Sequence, residues 1–358
     1  MNAVKYMKRK YNILYESTIC KLFCVIEIFI ILMMQVIVPL EVYSFENTDS
    51  LTEGCNWMSE IPGNTKLCNI NIPGTHDSGA RYTTAIISGV IAACQKNSIP
   101  QQLNKGIRYL DIRSNSDLEI NHGGMICYES PATTQKNKLT LEKVLDSVEN
   151  FLEINSGETV IIQLSQEGEN KKKFEKTFET KVNELIKNYK KLYKNTRKFA
   201  QNLSLNDVRG RFIIFSRDGN INHSYKFNNW GKNCEYGTPT LNNNQCLLQD
   251  NYRVLTSNLK MTSIKSFYKK VWNSEKESSN TFFINFTSCI GPFCPRYVAG
   301  TINYKFRKFV NKNSDKKFGI VLMDFPNSKL ISTIYNTNIS KSQDSDQEEN
   351  QSQESMDY

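Results

Sequence analysis

Histidine is scarce here, with three in 358 residues, and the chain has no Cys-x-x-Cys pair. A structural zinc centre is therefore disfavoured, because thiols at ligand spacing are missing and the histidines lie away from the cysteines. No Gly-x-Gly-x-x-Gly string follows the first strand-like run, which removes the usual mark of a dinucleotide-binding open sheet. The lysines lie mostly on one helix face without aromatics interleaved on that face, so no nucleic-acid partner is expected. Only one long apolar run occurs, Leu22 to Leu40, near the start.

That run follows Lys5, Lys8, Arg9 and Lys10 and precedes Val42-Tyr43-Ser44. Residues 1–44 read as a secretory signal peptide, with a retained signal anchor left open by the long basic start and by Glu27 and Gln35 within the run. The remainder is expected to be secreted or extracytoplasmic. Cysteine usage agrees: Cys55, Cys68, Cys94, Cys127, Cys234, Cys246, Cys289 and Cys294 form an even set, and the pairs Cys55/Cys68, Cys234/Cys246 and Cys289/Cys294 are the first candidates for disulfides. Sequons stand at Asn202, Asn222, Asn285 and Asn338. The formal charge of +9 is uneven: residues 341–358 carry one lysine against six carboxylates, a net −5, which leaves +14 for the rest. A basic body suits an anionic surface; an alternative is simple enrichment in lysine and asparagine.

Short β-branched and aromatic runs recur at Leu67 to Ile72, Ile107 to Ile112, Leu118 to Ile120, Thr159 to Leu164, Phe212 to Phe215, Thr281 to Phe286 and Gly319 to Met323. Continuous apolar runs of this length fit strands buried on both faces of a parallel sheet. Between them, Leu141 to Leu152 and Lys171 to Lys198 carry apolar residues at helical spacing, the first with Thr140 as N-cap. The alternation predicts an α/β fold, a distorted (β/α)8 TIM-type barrel, as a single domain over residues 45–340. Residues 341–358 are predicted to be a disordered acidic tail.

Two histidines sit in glycine-flanked strings, Asn71-Ile-Pro-Gly-Thr-His76-Asp-Ser-Gly79 and Leu118-Glu-Ile-Asn-His122-Gly-Gly124, while His223 lies in an Asn-rich loop. Two imidazoles at strand ends suit acid and base work at a phosphorus centre. His76, Asp111, Arg113, His122, Glu167, Arg217 and Asp324 all fall at carboxyl ends of expected strands, the active-site face of a barrel.

These strings, with Gln102-Leu-Asn-Lys-Gly106-Ile-Arg-Tyr-Leu-Asp111-Ile-Arg113 and Gly319-Ile-Val-Leu-Met-Asp324-Phe, resemble the phosphatidylinositol-specific phospholipase C X-domain family in its bacterial-type, single-domain branch. The resemblance runs from about Leu67 to Asn336. It implies a monomeric enzyme that cleaves membrane phosphatidylinositol to diacylglycerol and a cyclic inositol phosphate at an anionic membrane surface, with no cofactor. It makes His76 the general base, oriented by Asp324, and His122 the general acid, partnered by Asp77. Arg113 neutralises the phosphoryl oxygens. Calcium-using relatives carry a carboxylate where this chain has Arg113 and an Asn where it has Asp77, so metal-independent catalysis is expected. Arg217, Asp250, Tyr252 and Glu167 match headgroup positions, whereas Ser165 stands where the bacterial pattern has a ring-binding lysine. The apolar segment Ala85 to Cys94 lies where the family has a membrane-touching helix; a buried helix is the competing reading. Two other functions stay open, cleavage of glycosylphosphatidylinositol anchors and a catalytically silent lipid-binding barrel.

Overall fold

Continuous apolar runs become the walls of a parallel barrel. The computed structural model describes residues 54–339 apart from 84–91, 132–133, 169, 275–279 and 291–294. The signal segment, the acidic tail and most of the apolar segment Ala85 to Cys94 therefore lie outside the described residues.

In chain order the strands are Ile72–Thr75 (β1), Tyr82–Thr83 (β2), Tyr109–Ser114 (β3), Asn121–His122 (β4), Met125–Tyr128 (β5), Thr159–Gln166 (β6) and Arg211–Ser216 (β7). They continue as Ser224–Asn228 (β8), Thr240–Leu241 (β9), Asn244–Gln245 (β10), Leu247–Gln249 (β11), Phe283–Phe286 (β12) and Ile320–Met323 (β13). The helices are Ile99–Asn104 (α1), Leu141–Ile154 (α2), Lys171–Ile186 (α3), Leu205–Val208 (α4), Ser257–Trp272 (α5) and Pro295–Lys312 (α6), with residues 328–339 as α7.

Eight strands run parallel in the order β8-β7-β6-β3-β1-β13-β12-β11, which is sequence order taken around a ring. Every residue of β1, β6, β12 and β13 is buried, as expected when helices cover one face and the barrel interior the other. The distortion has a definite place: no ladder joins β8 to β11. Side chains span that seam instead, with Trp230 meeting Phe227 at 4.9 Å and Phe286 at 6.2 Å between ring centroids. Inside, Phe215 packs edge-on against Tyr109, Tyr225, Phe227 and Phe282. Gly74 is required where β1 and β3 meet, because an added Cβ would lie 2.9 Å from the Tyr109 Cβ.

The helix over Leu141–Ile154 forms as expected, with Thr140 accepting from the Lys143 N–H at 3.3 Å. Several expectations are corrected. The strand expected over Leu67 to Ile72 is a 3-10 turn at Leu67–Asn69, and the barrel strand starts only at Ile72. Leu118 to Ile120 is not a barrel strand. It leads into β4 of a small antiparallel sheet, order β2-β5-β4. The barrel takes its missing strands from β8 and β11, too short or too polar to stand out. The helix from Lys171 stops at Ile186, because Leu192 bridges Phe212 in parallel and the Tyr189 hydroxyl reaches Asp146 at 2.8 Å, holding the following chain extended.

The disulfides Cys55/Cys68 and Cys234/Cys246 do not form: Cys68, Cys234 and Cys246 are thiols. Their sulfurs point to different neighbours, Cys68 to the Gln201 carbonyl at 3.2 Å and Cys234 to the Gly231 carbonyl at 3.8 Å. Cys294, the third pair's partner, lies outside the described residues. Two sequons are also closed to glycan: Asn285 accepts from Gln249 at 2.8 Å and Asn338 accepts from the Asn71 N–H at 2.7 Å, both buried.

Candidate active site

The site is assembled by strand register. β1 pairs with β13 so that Thr75 lies opposite Met323, which makes His76 and Asp324 neighbours at the carboxyl ends. The His76 Nδ1 is 2.9 Å from Asp324 Oδ1. Gln95 clamps this junction, its amide donating to the carbonyls of His76 at 2.7 Å and Met323 at 2.9 Å. The Phe286 ring stands edge-on to His76 at 5.9 Å.

After His76 the chain turns through Asp77, whose φ of 40° puts a non-glycine residue in the left-handed region. Such a conformation is uncommon and needs its surroundings to hold it. They do: the Asp77 N–H points to Asp111 Oδ2 at 3.2 Å and the Ser78 N–H donates to the Asp111 carbonyl at 2.8 Å. The turn places Asp77 Oδ2 3.1 Å from His76 Nε2 and 3.2 Å from His122 Nε2, while Oδ1 pairs with Arg113 Nε at 2.9 Å. Asp77 Oδ2 is buried and makes no well-aligned hydrogen bond. Asp77 thus faces both histidines and not His122 alone.

Arg113 and Asp111 alternate on β3 and share its inward face. Arg113 Nη2 donates to Asp111 Oδ2 at 2.9 Å, and Gln163 on β6 donates to Asp111 Oδ1 at 2.8 Å. Burial opposes the charge on Asp111, yet Arg113, His76 and Arg217 hold it low, at about 2. The guanidinium stays a cation: burial disfavours it, but Asp111, Asp77 and Glu167 push its pKa well up. His76 follows the same balance. Burial pulls it down, but Asp77 and Asp324 win and raise it to about 9, so the unliganded site holds an imidazolium between two carboxylates.

His122 reaches the barrel mouth on the antiparallel hairpin. Its Nδ1 donates to the Ala92 carbonyl at 2.8 Å, which leaves Nε2 facing inward. Glu167, at the end of β6, accepts from the Gly123 N–H at 2.7 Å and stands 3.7 Å from Arg113 Nη1. Burial, then Asp77, raises its pKa. Glu167 therefore ties the His122 turn to the barrel. Ser165 lies opposite Arg113 in the β3–β6 register and is buried.

A second group lies beside the first. The Arg217 guanidinium stacks 4.3 Å over Trp230, whose indole N–H points to Asp250 at 3.4 Å. Burial raises the pKa of Asp250, opposed by Arg217, Lys260, His76 and Arg113. Tyr252 stands apart on the rim, its ring 5.7 Å from the Arg253 guanidinium. His223 is exposed and bonds the Lys194 carbonyl at 3.2 Å, away from the site.

Sequence reasoning missed several members. Gln163, two residues before Ser165, carried a signal, since a polar residue at inward spacing within an apolar run marks the barrel interior. Lys260 carried none: it lies among apolar positions of α5, fully buried, donating to Gln249 Oε1 at 2.9 Å and the Asn251 carbonyl at 2.7 Å. Burial lowers its pKa to about 8, with Asp250 opposing. Cys94 brings its sulfur to 4.0 Å from His122 Nδ1. Among the described residues, His76, Asp77 and Cys94 are the group whose ligand atoms lie mutually within 4.8 Å, a distance from which a metal ion can be held.

Residues 70–218 match the family model for the phosphatidylinositol-specific phospholipase C X domain. The chain is 32% identical over 296 residues to a 1-phosphatidylinositol phosphodiesterase of Listeria monocytogenes, covering 79% of this chain and 84% of that one. It is 26% identical over 299 residues to the protein of that name from Staphylococcus aureus strain Newman, covering 79% and 92%. The solved phosphatidylinositol-specific phospholipase C of L. monocytogenes superimposes with a TM-score of 0.61 at 26% identity, over 79% of this chain and 98% of that one. An S. aureus phosphatidylinositol-specific phospholipase C structure gives 0.65 at 23% identity, over 80% and 99%, a likeness of fold.

Proposed function

The chain belongs to the phosphatidylinositol-specific phospholipase C family, and on that footing we propose that it cleaves phosphatidylinositol by paired histidine catalysis within a single barrel. The observation that carries this reading is the pair of imidazoles whose Nδ1 atoms are tied to Asp324 and Ala92 while both Nε2 atoms face Asp77, beside Arg113.

In the proposed reaction the inositol 2-hydroxyl approaches His76 Nε2 and loses its proton there as its oxygen bonds to phosphorus. The bond from phosphorus to the glycerol oxygen breaks, and His122 supplies the proton that completes diacylglycerol. The second product is a cyclic inositol phosphate. Asp324 supports the imidazolium that His76 becomes, and an attacking hydroxyl already on the substrate needs only to be positioned. Arg113 supplies fixed positive charge to the phosphoryl oxygens. That cation stands where a bound divalent ion would be needed otherwise, so the reading is metal-independent.

The decisive assay is headgroup release from phosphatidylinositol vesicles, with chelator present and absent. His76→Ala and His122→Ala should each abolish turnover while leaving the fold intact. Near-normal turnover in either variant rejects the mechanism, and loss of wild-type activity in chelator rejects the role given to Arg113.

A second reading keeps the same chemistry on a glycosylated lipid. Beside Glu167 a cavity of about 230 Å³ is lined by Asn115, Ser116, Asn121, Gln166, Ile126 and Phe174, a mostly polar set with one aliphatic and one aromatic side chain, suited to sugar. Comparing release of an anchored reporter with release from plain phosphatidylinositol separates the two.

The membrane-facing surface is proposed to be the carboxyl-end loops. Leu255 and Leu259 flank the start of α5, and Ile290 and Tyr297 flank the start of α6, all more than half exposed. Arg253 and Arg296 are exposed beside them, a mixture suited to an anionic bilayer surface.

A further inference from the structure

The mouth of this site is also a set of soft-metal ligands. His76 offers a ring nitrogen, Asp77 a carboxylate oxygen and Cys94 its sulfur, mutually within 4.8 Å. His122 Nε2 stands 3.2 Å from the same Asp77 oxygen. In a tetrahedral zinc site the legs are about 2.0–2.3 Å, which sets neighbouring ligand atoms roughly 3.3–3.6 Å apart. The separations of 3.1 and 3.2 Å from Asp77 Oδ2 to the two imidazoles are already near that spacing.

Two further observations point to a ligand. Asp77 Oδ2 is buried, makes no well-aligned hydrogen bond and faces the gap between the rings, within ion-pair distance of both Nε2 atoms. Each imidazole also donates through Nδ1, His76 to a carboxylate at 2.9 Å and His122 to a carbonyl at 2.8 Å. That arrangement fixes the tautomer with Nε2 inward, as metal-bound histidines are usually held. Arg113 spends its charge on the other Asp77 oxygen and on Asp111.

We propose that His76, Asp77 and Cys94, with His122 on the open side, capture one zinc ion, and that capture switches the enzyme off. A thiolate with imidazoles and one carboxylate selects zinc over calcium or magnesium. On binding, the Cys94 thiol and the His76 imidazolium each give a proton to solvent, and the sulfur and the freed His76 Nε2 take the metal. The ion then occupies the His76 lone pair that must accept the substrate proton, and it excludes the phosphodiester. The inhibition rests on the proposed phospholipase function; the metal site itself does not.

The test strips purified protein with chelator, then sets free Zn2+ in metal-buffered solution. Turnover on phosphatidylinositol vesicles is followed beside calorimetric titration with Zn2+ and the near-ultraviolet spectrum with Co2+. We expect one ion per chain, a loss of turnover of about tenfold or more that chelator reverses, and a thiolate-to-cobalt charge-transfer band. Cys94→Ser, referred to its own zinc-free rate, should need at least about tenfold more free Zn2+ for the same inhibition and should lack the band. If circular dichroism finds Cys94→Ser unfolded, Asp77→Asn decides, with at least about tenfold weaker calorimetric affinity expected. No zinc uptake by the wild type, unchanged affinity in Asp77→Asn, or equal zinc sensitivity in Cys94→Ser overturns the proposal. A zinc-free wild type without turnover rejects the phospholipase reading alone, because calorimetry and the cobalt band still report the site.

Discussion

His76 Nδ1 and Asp324 Oδ1 meet at 2.9 Å although 248 residues separate them in sequence. The meeting follows from the first and last barrel strands being neighbours, with Thr75 opposite Met323. Barrel folding and site assembly are therefore one event: a register slip by one residue between β1 and β13 would turn the carboxylate to the other face.

Removing that carboxylate's charge should change both rate and pH dependence. Asp77 and Asp324 raise His76 to about 9, so in Asp324→Asn the ring should lose its proton at lower pH. The acidic limb of kcat/KM should move down, while the rate on its plateau falls by about 10²-fold or more, because the imidazolium formed in the reaction loses its partner. A pH series on vesicle substrate checks this. An unmoved limb would mean that Asp324 does not set the His76 proton affinity.

Stability carries the same signature with a definite sign. The raised pKa of His76 means that the folded protein holds this proton more tightly than the unfolded chain, so its contribution is complete below about pH 6.5 and is lost as pH rises through 9. Lys260 acts oppositely: its pKa, lowered from 10.5 to about 8, imposes a penalty that is full below pH 8 and relieved above it. Urea midpoints should fall from pH 6.5 to 8 and then flatten. In Lys260→Met the fall should continue toward pH 9, and in His76→Asn it should be much reduced.

How much of this was legible follows from where the information lies. Arg113 and Asp324 stand beside the ends of apolar runs, so strand recognition located them, whereas His76 stood out by its glycine-flanked string, since the run expected before it, Leu67 to Ile72, is a strand only from Ile72. The hairpin that carries His122 was misread as a barrel strand because Leu118-Glu-Ile is as β-like as a wall strand, and nothing local records that Glu167 pins the adjoining Gly123. Strand β8 reads Ser-Tyr-Lys-Phe-Asn and β11 has three residues, too short or too polar for a periodicity test. The cysteines misled because spacing says nothing of direction: Cys68 is held toward Gln201 and not toward Cys55.

The barrel floor should be separable from its chemistry. Arg108 and Glu158 are fully buried and pair at 2.8 Å, with the guanidinium also donating to the carbonyls of Leu103, Ile107, Gly54 and Cys55. Removing one member of such a pair leaves an uncompensated charge. Glu158→Gln should cost about 3–5 kcal/mol in urea unfolding, and the protein that remains folded should keep its kcat, since the pair sits at the amino ends of the strands. A large fall in kcat at a temperature where the variant is fully folded would contradict that separation.

Membrane contact is the remaining link between the barrel and a lipid held in a bilayer. Leu255 is 71% exposed and Ile290 59% exposed, and the Ile290 N–H donates to the Tyr252 carbonyl at 3.0 Å, joining the two loops. Burying such side chains fully is worth about 1.5–3 kcal/mol each. Even partial insertion predicts that Leu255→Ser with Ile290→Ser weakens sedimentation with phosphatidylinositol vesicles by about tenfold or more. Ile154 supplies the control, because it is 84% exposed but ends α2 at the opposite face of the barrel. Ile154→Ser should leave vesicle binding unchanged. Equal losses in both variants would mean that exposed apolar area anywhere drives adsorption, and the carboxyl-end loops would lose their claim to be the docking surface.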